Sequence, residues 1–246
     1  KANLALAYKN IGEIKKSLSI FRNLEYRGSW SLVAKFNYGI TNISIGSFKE
    51  GWKYYEYRWK VSPGNKVVWP FPDKPLWKGE KGSRVVLWRE QGIGDDIVFL
   101  GLLSEVQDMC SSLSVYVDPR LHSLCRRAMP EINFVDHTEE LKEADIDYHL
   151  PLGSVPGLIR NDISDFDRTV TGYLKADTQR VELIRNELQL DGKVVIGISW
   201  KSFKSLNITK KSIQLRDVGR IFRGLDVVLV KLQYGDVDDE IREFRE

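Results

Sequence analysis

Histidine, cysteine and methionine are scarce in this chain: its 246 residues hold three, two and two of them. Cys110 and Cys125 lack the paired spacing of a metal knuckle or a redox motif, and two buried structural thiols suit a reducing cytoplasm. His122, His137 and His149 have no metal-ligand neighbour at a useful spacing, so each is read as a surface or structural residue and no metal is expected. Charge of one sign is also missing. Thirty-seven basic against 34 acidic side chains leave +3, too little to require a nucleic-acid or membrane partner. No run approaches the roughly 18 apolar residues of a bilayer span. The opening KANLALAYKN has no long apolar signal-peptide core. The expectation is a cytoplasmic protein of one large or two modest domains. Because the chain opens on Lys1 in the middle of a helical pattern, it is expected to be part of something longer.

What is present begins with an internal period. NLALAYKNIGEIKKSLSIF from Asn3 aligns with NYGITNISIGSFKEGWKYY from Asn37, placing Gly12 on Gly46, Leu18 on Trp52 and Phe21 on Tyr55. The offset of 34 residues is the length of a tetratricopeptide repeat, a helical hairpin whose apolar faces pack on the next unit. Gly12 and Gly46 fall where the chain must reverse.

GWKYYEYRW, residues 51–59, sets Trp52, Tyr55 and Trp59 on one helical face. Such a stripe reads as a packing surface, the seam between the repeats and the remainder of the chain. Pro63, Pro70, Pro72 and Pro75 then break any helix across residues 61–82, a stiff linker that Trp69 and Trp77 are expected to pin.

Beyond Gly82 strands and helices alternate. RVVLW, LSVYV, INFVD and ADIDYHLPL read as strands, and residues 96–109 and DPRLHSLCRRA as helices. Short connections imply βαβ units and a parallel sheet covered on both faces. A helix over 177–190, the strand VVIGISW, a helix SIQLRDVGRIF and the strand LDVVLVKLQ open a second set, of which only about two strands are present.

The loop EQGIGDD after the first strand lies where ligands bind such sheets. Gly92 and Gly94 are followed by Ile97 where a dinucleotide fingerprint needs a third glycine, and Asp118-Pro119 reads better as a helix cap than as a ribose-binding acid. A nicotinamide-dependent oxidoreductase is therefore a minor reading. No Gly-Lys-Ser/Thr comes after it, which excludes a Walker loop. Two readings stay open. Glycines allow close backbone approach to a substrate beside an aspartate base, or the loop is a plain turn with Asp95 or Asp96 as a helix N-terminal charge.

The order GWKYYEYRW, PLWKGE, EQGIGDDIVF, DPRL, YHLPLGSVPGL, TGYLKAD, IGISWKS and VVLVKLQYGD resembles bacterial tetratricopeptide-repeat proteins that carry a glycosyltransferase domain of the two-Rossmann (GT-B) architecture. The likeness runs over nearly the whole chain. It is closer to the heptosyltransferase group than to the protein O-linked N-acetylglucosamine transferases. The fold implied is α/β: repeat-like helical hairpins over 1–60, the linker, a first Rossmann-like domain over 83–176 on the acceptor side, and the start of a second, truncated one over 177–246 on the nucleotide-sugar side. The later half of that second domain, which completes the donor pocket in such enzymes, has no counterpart here. The resemblance makes Asp95 the catalytic base and places substrate contacts at Glu90, Gln91, Gly92 and Gly94. It also suggests a diphosphate clamp from Lys201, Ser202, Lys204, Lys210, Lys211 and Ser212, with Gln233 and Tyr234 near the nucleotide. A nucleotide sugar would be the substrate, with no cofactor, and a protein or glycan the acceptor, with a peptide partner on the helices. The rival is a non-catalytic interaction module in which the α/β part is a scaffold.

Overall fold

The 34-residue period folds as two helical hairpins. Helices α1 (Ala2–Asn10) and α2 (Ile14–Tyr26) form the first, α3 (Leu32–Ile43) and α4 (Phe48–Tyr55) the second, and a single turn, α5 (Arg58–Val61), comes after them. Gly12 and Gly46 both take the left-handed conformation at the reversals, with φ of 83° and 79°. The computed structural model describes residues 1–61, 70–142, 145–166, 172–188, 192–203 and 212–245. Trp69 therefore lies outside the described residues. The chain divides into two compact units, Lys1–Lys175 and Ala176–Glu246.

Apolar residues at helical spacing bury Ala5, Leu18, Phe21, Leu24, Ala34, Tyr38 and Tyr54 in one cluster. Tyr38 meets Tyr54 edge to face at 5.0 Å and Trp30 at 5.3 Å. The tightest contact has no side chain. A Cβ on Gly39 would lie 2.7 Å from the Tyr55 nitrogen, and one on Gly51 would lie 2.9 Å from the Ile43 nitrogen. Thirty-four residues earlier the corresponding positions hold Ala5 and Ser17, both fully buried, so small residues set the helix separation in both hairpins.

The same unit contains a four-stranded parallel sheet of order β3-β2-β1-β4, from β1 (Ser83–Trp88), β2 (Cys110–Tyr116), β3 (Asn133–Val135) and β4 (Tyr148–Pro151). Strand β1 is central, pairing Leu87 with Val115 on one side and with Leu150 on the other. Val85 and Leu87 face the main core with Leu100, Leu103, Val106, Cys125 and Val155. Val86 faces Phe71 and Ile146 in a smaller cluster. The expectation of apolar cover on both faces meets a difference on β2. Its alternate residues are Ser112 and Ser114, with Asn133 bonded to Ser114 at 3.0 Å, so that face turns polar toward β3. The linker packs as expected at Trp77, which is buried, donates its backbone N–H to the His149 carbonyl and its indole N–H to that of Glu80.

The helix expected over 96–109 is two, α6 (Ile93–Leu100) and α7 (Leu103–Gln107). The Tyr173 hydroxyl donates to the Ile97 carbonyl, one turn before the break at Gly101, where an added Cβ would lie 3.3 Å from the Tyr173 ring. Asp118 caps the next turn by accepting from Arg120 N–H with Pro119 behind it, and α8 (His122–Ala128) continues. A short α9 (Pro156–Ile159) comes after β4.

The second unit holds α10 (Thr178–Leu188), β5 (Val194–Ile198), α11 (Leu215–Ile221), β6 (Val227–Lys231) and α12 (Asp238–Arg245). Strands β5 and β6 pair in parallel, and Trp200, Leu215 and Val237 form the core beside them. The chain is thus a mixed α/β protein with small parallel sheets. Among the described residues no helix is long and apolar enough to cross a membrane.

The glycine contact is testable. Gly39→Ala should lower stability by about 1–3 kcal/mol, since backbone must shift to admit the methyl group. Urea unfolding measures this. An unchanged midpoint would mean that α3 and α4 do not meet at these glycines.

Candidate functional site

In the order β3-β2-β1-β4 the chain leaves β1 toward β2 and later returns past it to β4, so the connections diverge between β1 and β4. The crevice outside the carboxyl ends of those two strands is where an open α/β sheet takes ligands. Here the loop after β1 carries Arg89 to Asp96, and the turn after β4 carries Leu152 to Ser154.

Glu90 lies inside that crevice, its side chain only 3% exposed. A carboxylate removed from water must be paired, and Arg58 pairs it. The guanidinium donates through Nη2 to Glu90 Oε1 at 3.0 Å and through Nε to Oε2 at 3.3 Å. It also donates to Ser154 Oγ at 2.6 Å and to Glu56 Oε1 at 2.7 Å, and it lies over the rings of Tyr55 and Trp59. Glu90 Oε1 accepts further from the Gly153 N–H at 3.1 Å and from Gln91 Nε2 at 3.3 Å. A Cβ on Gly153 would lie 2.3 Å from that oxygen, so only glycine admits the contact. Gln91 Nε2 donates in turn to the Tyr55 hydroxyl at 2.7 Å.

The aromatic stripe is therefore a seam, as its spacing indicates. Trp52 donates its indole N–H to the Arg160 carbonyl at 2.7 Å, Tyr55 holds Gln91, and Trp59 meets Trp88 with ring centroids 5.8 Å apart. Sequence reasoning passed over Arg58, Gly153 and Ser154. Two features marked them: the cation within the aromatic run, and the glycine and serine that end YHLPLGS.

Gly92 stands at the N-cap of α6, and Asp95 and Asp96 fall in its first turn. They are treated oppositely. Asp96 is buried and accepts from Arg89 Nε at 3.0 Å, while Arg89 Nη1 reaches Asp118 at 3.1 Å and ties the ends of β1 and β2 together. Burial pushes the Asp96 carboxyl up from its ordinary range, with Arg89 pulling against it. Asp95 is exposed. Its Oδ2 accepts from the Gly92 N–H at 3.0 Å, the return half of a capping box, and no hydrogen bond reaches Oδ1 among the described residues. A Cβ on Gly94 would meet open space. The loop thus offers one solvent-facing carboxylate on a helix N-terminus beside a bare stretch of backbone.

Beneath it, Trp88 Nε1 donates to His149 Nδ1 at 3.0 Å. The lone pair must then be on Nδ1, which makes Nε2–H the donor to the Lys74 carbonyl at 3.1 Å.

The second unit gathers the remaining residues around the ends of β5 and β6. Gln233 is buried, and its Oε1 accepts from Ser199 Oγ and from the backbone N–H groups of Trp200 and Lys201 at 3.1, 2.9 and 2.8 Å. Its Nε2 donates to the Lys201 and Tyr234 carbonyls. Every polar site on this side chain is engaged in holding the two loops together. Lys201 pairs with Glu240, whose carboxyl is held below its usual range by that ammonium and by the Trp200 indole N–H. Ser212 Oγ accepts from Ser202 N–H at 3.1 Å, and Tyr234 is exposed beside Phe203. Lys204, Lys210 and Lys211 lie outside the described residues. Among the described residues no group of three or more His, Cys, Asp and Glu side chains could hold a metal ion.

No protein-family model matches the chain, and no solved structure matches it. Among curated proteins, Protein FlbA of Caulobacter vibrioides is similar, 25% identical over an alignment that covers 97% of this chain and 44% of FlbA. The chain therefore spans less than half the length of the curated relative it matches.

The Trp88–His149 bond predicts a pH dependence. Burial lowers the His149 pKa, so the unfolded chain binds more protons than the folded one below its ordinary value of about 6.5. The contribution of His149 to stability is complete above that value and is lost as pH falls toward the depressed pKa, since a protonated Nδ1 would face the indole N–H. His149→Gln, which keeps an acceptor for Trp88 but does not titrate, should flatten the fall of the urea midpoint as pH drops below about 6.5. Parallel profiles for the two proteins would contradict this.

Proposed function

We propose that this chain is the repeat-bearing part of a nucleotide-sugar glycosyltransferase. In this reading the two hairpins are tetratricopeptide repeats, and the two α/β units are the acceptor-side domain and the beginning of the donor-side domain of a GT-B enzyme. The observation that carries it is Asp95: an exposed carboxylate at the N-terminus of α6, just outside the carboxyl end of the central parallel strand, with Oδ2 held by the Gly92 N–H and no hydrogen bond to Oδ1 among the described residues. Asp95 takes the proton of an acceptor hydroxyl as that oxygen bonds to the anomeric carbon. The bond from that carbon to the phosphate oxygen breaks, the nucleoside diphosphate leaves with the electron pair, and the configuration inverts. Gly92 N–H holds Oδ2 and so aims Oδ1. The acceptor is a protein or glycan presented along the helices, and no cofactor takes part. The setting is cytoplasmic.

A second reading is favoured by the unit of Ala176–Glu246. Gln233 spends all its hydrogen-bonding groups on its own loops and Lys201 is neutralised by Glu240, which suits a scaffold behind a peptide-binding module.

Hydrolysis of nucleotide sugars, with water as acceptor, separates the two in the full-length gene product. Asp95→Asn retains an acceptor for Gly92 N–H, so its thermal melt should match the wild type while sugar release falls by about 100-fold or more. Gly94→Ala should fold equally well or better and also lose turnover, because the added methyl group enters the open space over the bare backbone that a substrate would approach. Full activity in Asp95→Asn would remove this residue from the mechanism.

A further inference from the structure

We propose that Arg58 is a positioning residue through which the helical hairpins set the geometry of the loop that carries Asp95; its catalytic consequence rests on the transferase reading above. Glu90, which the resemblance places among substrate contacts, is used up internally. Both its oxygens accept from Arg58, and Oε1 also takes the Gly153 N–H and Gln91 Nε2. With 3% of its side chain exposed it offers nothing to a ligand. It is instead the point at which three segments converge: the end of the hairpins through Arg58, the loop after β1 that contains Glu90 itself, and the turn after β4 through Gly153 and Ser154.

Two features make this a device for position. Arg58 is rigid for a long side chain, because its guanidinium lies 4.6 Å from the Tyr55 ring centroid and 4.3 Å from that of Trp59. A planar fork grips both carboxylate oxygens at once and fixes the direction as well as the distance of Glu90. A second tie runs parallel to it, from Gln91 Nε2 to the Tyr55 hydroxyl, and Tyr55 at the end of α4 and Arg58 at the start of α5 belong to the same aromatic stretch. The next residue, Gly92, donates to Asp95 Oδ2 and accepts from the N–H groups of Asp95 and Asp96. The direction of Asp95 is therefore set by where Glu90 and Gln91 are held. A partner that moves the end of the hairpins would move the carboxylate.

The test uses Arg58→Lys, which keeps the buried positive charge and loses the fork, and Tyr55→Phe, which loses one hydroxyl. Amide hydrogen exchange and nucleotide-sugar hydrolysis are measured on the full-length gene product. Arg58→Lys should speed exchange at Gly92, Asp95 and Asp96 at least tenfold, leave α1 to α4 and the strands unchanged, and lower kcat with KM unaltered. Tyr55→Phe should act in the same places by a smaller factor, and it decides the matter by itself should Arg58→Lys fail to fold. Unchanged exchange in residues 89–96, or equal acceleration across the whole unit, would overturn the proposal. If the wild type hydrolyses no nucleotide sugar, the transferase reading fails, while the exchange pattern still decides whether Arg58 sets the loop.

Discussion

A buried carboxylate at the end of a central strand is the constraint around which the first unit is organised. Glu90 lies just past β1, at the point where ligands would enter an open α/β sheet, and it cannot remain there charged without a cation. That cation, Arg58, comes from the turn α5 directly after the helical hairpins, and its demand explains much else. The aromatic stretch around it must lie against the sheet, Gly153 must lack a side chain, and Ser154 and Glu56 accept further guanidinium hydrogens. The hairpins and the sheet consequently form one unit, although the composition changes sharply between them.

The two ends of the crevice loop divide the chemistry. Arg89, Glu90 and Asp96 turn inward, each carboxylate matched to a guanidinium, and hold the loop to β2 and β4. Asp95 turns outward with one oxygen committed to the backbone and one available. Adjacent aspartates on a helix thus serve opposite purposes, because one points toward the core and its neighbour is rotated about 100° away from it. The second unit contrasts with this. There Gln233 and Lys201 are satisfied within the unit itself, whereas Asp95 keeps an oxygen open to solvent.

Much of the fold was legible from local pattern. The period of 34 residues, the reversals at Gly12 and Gly46, the short apolar runs that make β1 and β4, the Asp118-Pro119 cap and the role of Trp52, Tyr55 and Trp59 as a seam all arise from interactions a few residues long or from a simple apolar pattern. The helix break falls at Gly101, a residue that weakens a helix, whereas the Tyr173 hydroxyl that takes the Ile97 carbonyl there comes from more than 70 residues away and has no local signal. The site was legible only in part. The loop was visible from its glycines and aspartates, whereas the use of Glu90 required knowing that Arg58 and Gly153 meet there. Lys201 reads as a free cation in the sequence and is paired in the fold, since Glu240 lies 39 residues further along and reaches it only once α12 has formed.

The central claim is that this chain belongs to an enzyme that uses a nucleotide sugar, and binding tests it most directly. Calorimetric titration of the full-length gene product with a panel of nucleoside diphosphate sugars should give saturable heat for one nucleotide class, with Kd in the range of about 1 μM to 1 mM usual for substrates. No heat from any member of the panel at millimolar concentration would contradict the claim and leave the helical hairpins as the functional part of the chain.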